Sequence, residues 1–100
     1  ALAEEIGSKG DSAVAKRILG QIAAIHGKEY TAYFQFSTMI FTEIKNRFEL
    51  ARTQARYAEA LAKHNAEVAV VYRKQAIDTF VAIGAQGELA RLGFTYERSC

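Results

Sequence analysis

Residues 30–62 read YTAYFQFSTMIFTEIKNRFELARTQARYAEALA, and their spacing decides the fold. Tyr30, Tyr33, Ser37, Ile40, Ile44, Phe48, Ala51, Ala55, Ala58 and Ala62 follow one another in steps of three or four. That is the spacing of one face of an α-helix. The face is bulky and aromatic at its start and all alanine at its end. Set at 100° per residue, the stretch carries two adjoining apolar arcs. Tyr30, Phe34, Ile40, Phe41, Ile44 and Phe48 fall on one; Phe36, Met39, Leu50, Tyr57 and Leu61 fall on the other. The polar wedge from Gln35 to Lys63 takes only about a third of the circumference, whereas a surface helix shows a single apolar stripe of somewhat over 100°. The spacing therefore predicts one long helix, helix B over residues 28–64, covered from at least two sides.

Outward from that stretch the chain stays helical. It has no proline, and Ala, Leu, Glu, Lys, Gln and Arg, all strong helix formers, dominate outside the aromatic run. Residues 1–10, interrupted by Gly7 and Gly10, read as a flexible or short helical lead-in. Asp11 or Ser12 is a suitable N-cap for helix A over 12–26, whose stripe is Val14, Ile18, Ile22 and Ile25 with Leu19 beside it, stopped by Gly27. Asn65 punctuates the passage to helix C over 66–92, with Val70, Ile77, Phe80 and Val81 inward and a break near Gly84 and Gly87. Arg73 favours a true break at Asn65, because an unbroken helix would carry that charge onto the main apolar stripe. Residues 94–100 form a C-terminal tail. The expected fold is all-α: a long central helix with two flanking helices, as a three-helix bundle or extended hairpin, within a single domain over 11–93.

The lengths do not close. Helix B spans about 55 Å at 1.5 Å per residue, and helices A and C laid end to end cover it about once. Two arcs need about two neighbours at each level. The missing helix is expected from a second copy or a helical partner, with a cyclic dimer as the default. The interface candidates are Tyr30, Tyr33, Phe34, Phe36, Ile40, Phe41, Ile44, Phe48, Leu50, Ala51, Ala55, Tyr57, Ala58, Leu61 and Ala62, and Cys100 is a candidate intermolecular thiol.

Chemistry-bearing motifs are absent from the sequence. With one cysteine there is no intramolecular disulfide and no Cys-x-x-Cys metal site. His26 and His64 have no second ligand at i,i+4, and no glycine-rich phosphate loop exists. No catalytic, cofactor-binding or metal residue is assigned, and no cofactor is expected. Net charge is +2, with basic and acidic side chains interleaved as in Glu43/Arg47, Lys45/Glu49 and Glu59/Lys63. That pattern argues against a nucleic-acid footprint, which concentrates Lys and Arg on one face. No apolar run reaches the length of a transmembrane helix. Ala1 is not a Met, which leaves room for a removed targeting segment, and no localisation follows.

The function expected is a non-catalytic structural or interaction module that self-associates or docks on a partner through wide apolar helix faces. One alternative is a helical protein contacting a membrane surface or nucleic acid through Arg52, Arg56, Lys63, Arg73, Lys74 and Arg91. Another is a small-ligand carrier or enzyme with an inter-helix pocket lined by Tyr30, Tyr33, Phe36 and Met39.

Overall fold

The computed structural model describes residues 2–93, with side chains from Gly7 onward. The tail 94–100 and Cys100 lie outside the described residues. Among the described residues five helices follow in order: α1 Leu2–Ile25, α2 Thr31–Glu43, α3 Arg47–Leu61, α4 Ala66–Ile83 and α5 Gln86–Arg91. Among the described residues there is no strand. The all-α class agrees with the sequence reading.

The long helix B is not continuous. α2 closes with Asn46 N–H donating to the Phe41 carbonyl at 2.9 Å and Lys45 N–H to that of Thr42 at 3.1 Å. This six-to-one closure requires a left-handed residue between them. Lys45 takes that place at φ +59°, a conformation in which a lysine is strained and a glycine is not. The Asn46 side chain then accepts from Glu49 N–H at 3.0 Å and starts α3. Because Lys45 is neither Gly nor Pro, the periodicity runs through the turn without a visible mark. The turn folds the two halves of the stripe toward each other.

The other boundaries follow capping chemistry. Gly27 and Gly84 hold positive φ and end α1 and α4, and Lys28 N–H and Ala85 N–H close onto the Ala23 and Phe80 carbonyls. Asn65 caps α4 by accepting from Val68 N–H at 3.3 Å. The break there turns Arg73 outward, where it donates to the Leu92 carbonyl at 2.7 Å. The expected start of helix A at Asp11 or Ser12 is corrected: α1 begins at Leu2 and runs through both residues, which are exposed. The glycines do not interrupt it, because its first half is tied to the end of α2. A Cβ at Gly10 would stand 3.7 Å from Ile44 Cδ1, and Lys9 Nζ pairs with Glu43 Oε1 at 3.0 Å. Tertiary contact outweighs the propensity cost of about 1 kcal/mol per glycine.

α1 packs on α2, and α3 packs on α1, α2 and α4, while α5 turns back beside α4. The apolar core lies in three small groups rather than one. Ala13, Ile40 and Phe41 join α1 to α2. Phe34, Tyr57, Leu61 and Ala69 join α2, α3 and α4, with the Phe34 and Tyr57 rings stacked at 5.1 Å. Ala51, Ala55, Ala76, Phe80 and Leu89 join α3, α4 and α5. The Cα envelope measures 49 × 34 × 17 Å, so the chain is a slab less than two helix diameters thick.

Two outcomes check this account. Asn46→Ala removes the cap of α3 and is expected to lower unfolding free energy by about 1 kcal/mol, read as a lower urea midpoint at unchanged m-value. The Glu29 carboxylate accepts from Thr31 N–H at 2.7 Å at the start of α2, and bonds to the backbone and hydroxyl of Thr31 hold its carboxyl below the usual range. Its folded-state value is depressed, so its contribution is complete above the unfolded value and is lost as pH falls through the folded one. Thermal melts from pH 6 to pH 3 are expected to show a smaller acid-induced fall for Glu29→Gln than for the parent.

Candidate interaction surface

Two stripes alternate along α1. Ala13, Arg17, Gly20 and Ala24 are spaced four, three and four apart, and Ala15, Ile18, Ile22 and Ile25 three, four and three apart. At 100° per residue the two sets centre about 150° apart, which places them on roughly opposite sides of the helix. The first faces the rest of the chain: Ala13, Arg17 and Gly20 are buried and Ala24 is half-buried. The second faces solvent. Ile18 is 47%, Ile22 47% and Ile25 79% exposed, with Leu19 beside them at 44%. The expectation that the isoleucines of helix A form its inward stripe is therefore corrected; only Val14 is half-buried against the Ile40 group.

Three contacts fix this rotation. Ser37 Oγ donates to the Ala13 carbonyl at 2.6 Å. A Cβ at Gly20 would come within 2.9 Å of Phe34 Cε2, so α1 approaches α2 too closely there for any larger residue. Arg17 Nη1 donates to Glu49 Oε1 at 2.8 Å and to Thr53 Oγ1 at 3.2 Å. Sequence periodicity ranks faces by apolar content and so misses a face made of Ala, Gly and Arg.

Arg17 heads a row of charges of alternating sign. Glu49 Oε2 meets Arg52 Nη1 at 3.3 Å. Arg52 Nε lies 3.6 Å from Glu88 Oε2, and Arg56 Nη2 lies 3.7 Å from Glu88 Oε1. Arg56 Nη1 donates to Glu59 Oε2 at 2.6 Å. Arg52 Nε, Arg56 Nη2 and Glu88 Oε1 have no hydrogen-bond partner, so these last contacts are ionic without being bonded. Three guanidinium groups face three carboxylates, and the row carries no net charge. It ties α1 and α5 to α3. Arg52 and Arg56, two of the basic residues considered for an anionic surface, are thereby engaged; Lys74 pairs with Asp78 at 3.0 Å, while Lys63 and Arg91 stay exposed.

Of the fifteen interface candidates, Phe34, Ile40, Phe41, Ala51, Ala55, Tyr57, Ala58 and Leu61 are buried within the chain. Tyr30, Tyr33, Phe36, Ile44 and Leu50 are half-buried, and Phe48 and Ala62 are exposed. The turn at Lys45 lets α1 and α4 cover what one straight helix would leave bare. Tyr30 donates weakly to the Ala60 carbonyl at 3.4 Å, and burial pushes its phenol above the usual range. Met39 is 54% exposed and lies outside the groove between α1 and α3, which is lined by Gln21, Ala24, Ile25, Arg56, Glu59, Ala60, Lys63 and His64 and encloses about 260 Å³. A second groove of about 370 Å³ has an alanine floor (Ala55, Ala58, Ala62, Ala66 and Ala69) with Arg73 and Arg91 at its edge. On α4, Val70 and Val71 are 64% and 53% exposed, but Lys74 and Asp78 interrupt that face. α1 carries the least interrupted apolar surface.

Among the described residues no group of His, Cys, Asp or Glu could hold a metal ion, and no helix is long and apolar enough to cross a membrane. No family model, curated protein or solved structure matches the chain.

Arg17→Ala leaves Glu49 facing only Arg52 and opens space against α3. Because Arg17 is buried while Glu49 keeps some solvent access, the expected loss is about 2 kcal/mol, below the range for a fully enclosed pair. Urea unfolding of the variant measures it.

Proposed function

We propose that this chain is a non-catalytic structural module that associates through apolar helix surface, chiefly the outer stripe of α1. The observation that carries the reading is the exposure of Ile18 and Ile22 on the side of α1 away from its packed face, continued by Ile25 at the rim of the α1–α3 groove. Isolated exposed apolar residues are ordinary on a protein surface. Four together on adjoining helical positions form a patch of the kind that marks an interaction site.

Removing the exposed parts of Ile18, Leu19, Ile22 and Ile25 from water is worth about 5 kcal/mol. That is near the lower end of what association costs in lost translational and rotational freedom. A polar partner therefore gains too little, and a partner with an apolar face of its own roughly doubles the gross term. The surplus then corresponds to a dissociation constant on the order of tens of micromolar. The reading is of a weak, concentration-dependent contact between apolar helices.

The orientation of α1 is tested on dilute protein, where association is negligible. Ile22→Glu is expected to leave helicity unchanged and the Tm within about 3 °C of the parent, as for a surface substitution. A fall of 10 °C or more would place Ile22 in the chain's own core and sink the reading.

A further inference from the structure

We propose that Arg52 and Arg56 form an anion seat, filled in this chain by Glu88 as an internal ligand that an incoming phosphate group displaces together with α5. The seat lies on α3 and α5, apart from the outer stripe of α1, and stands whether or not the chain associates there. Arg52 and Arg56 are four residues apart, so their side chains are neighbours on one face of α3. Both guanidinium groups meet the same carboxylate. Arg52 Nε stands 3.6 Å from Glu88 Oε2, and Arg56 Nη2 stands 3.7 Å from Glu88 Oε1.

The contact has charge without bonding. A guanidinium bonded to a carboxylate closes to about 2.7–2.9 Å, as Arg17 does with Glu49 at 2.8 Å. Arg52 Nε, Arg56 Nη2 and Glu88 Oε1 are enclosed and have no hydrogen-bond partner among the described residues. Arg56 is 5% exposed, and a buried donor left unbonded is costly. Two such donors converge on a point that Glu88 occupies without satisfying them. The cause lies in how α5 is held. Leu89 is buried in the group with Ala76 and Phe80, and Arg73 donates to the Leu92 carbonyl at 2.7 Å. These contacts place the Glu88 carboxylate, and they leave it short of both nitrogens. A free oxyanion is under no such restraint. Its oxygens meet both donors at bonding distance, and guanidinium groups hold phosphate firmly in that way.

The charge balance points the same way. With Glu88 seated, three guanidinium groups face three carboxylates. With Glu88 withdrawn, the row keeps one positive charge in excess beside the buried Arg56, and an uncompensated buried charge calls for an anion. The seat is also within reach. The Arg52 side chain is 29% exposed and that of Glu88 16%. Six residues long, α5 has no helical stability of its own, so it lifts at the cost of its docking contacts alone.

The test uses the full chain, in inorganic phosphate and in chloride at matched ionic strength. Glu88→Ala empties the seat, and Glu88→Gln keeps its shape without its charge. Both variants are expected to melt below the parent in chloride. Phosphate at about 20 mM should raise the Tm of each by about 5 °C and that of the parent by about 1 °C or less. Adding Arg52→Gln to Glu88→Gln should abolish the rise. In the parent, the amides of α5 are expected to exchange hydrogen at least threefold faster in phosphate than in chloride, as the anion takes the place of Glu88. Phosphoserine then separates the sources: rescue equal to that by phosphate shows a seat that accepts the group on a larger carrier, and rescue by inorganic phosphate alone shows one for the free ion. The proposal is overturned by Glu88 variants that respond alike to phosphate and chloride, or by a rise that survives Arg52→Gln. Equal exchange of the parent's α5 amides in the two salts overturns it as well.

Discussion

The ion pair between Arg17 and Glu49 determines how α1 lies on the rest of the chain. A helix with two stripes of similar length can dock on either, and hydrophobic area alone would choose Ile18, Ile22 and Ile25. Arg17 reverses the choice, because it reaches Glu49 at 2.8 Å and Thr53 at 3.2 Å only with the small stripe inward. Ala13, Gly20 and Ala24 then allow the backbones to approach closely, and Ser37 bonds to the Ala13 carbonyl at the shared surface. Close approach replaces side-chain volume as the source of packing contact. The isoleucines are left outside as a consequence of this fit.

The row that begins at Arg17 also holds α5, since Glu88 stands between Arg52 and Arg56. A buried pair stripped of one partner is costly, while an intact one adds little beyond a well-packed apolar substitute. The row is therefore better understood as specifying arrangement than as supplying stability. It selects one rotation of α1 and one seat for α5 in a slab whose apolar core is divided into three small groups.

The all-α class, the stops at Gly27 and Gly84 and the cap at Asn65 were legible because each has a residue type tied to its geometry. The division of the 28–64 stretch was not, because its left-handed position is filled by Lys45. One mark was present: Asn46 followed three residues later by Glu49 is a capping pair, here overlain by an unbroken apolar rhythm. That single missed turn changes the inference about covering. A straight helix of about 55 Å leaves its arcs short of neighbours; two helices folded on one another satisfy most of them within the chain. The arithmetic of missing surface pointed outward from the wrong helix. The side of α1 that faces solvent was hidden for a different reason: periodicity locates stripes but does not say which of two opposed stripes a charge will draw inward.

The thinness of the slab bears on what the molecule can do. With a short axis of 17 Å, each outer helix has a neighbour on one side only, so a helix with apolar residues on two sides must leave some exposed. α4 tolerates this by threading Lys74 and Asp78 among its valines, which keeps any partner's apolar contact short. α1 has no such interruption between Ala15 and Ile25 other than Lys16, Arg17 and Gln21, which lie off the outward stripe. Charges placed across one face and withheld from the other give the two faces different solvent tolerance. A buried arginine pair thus has an effect at the opposite surface of its helix, because fixing the rotation of α1 from within decides which residues it offers outside.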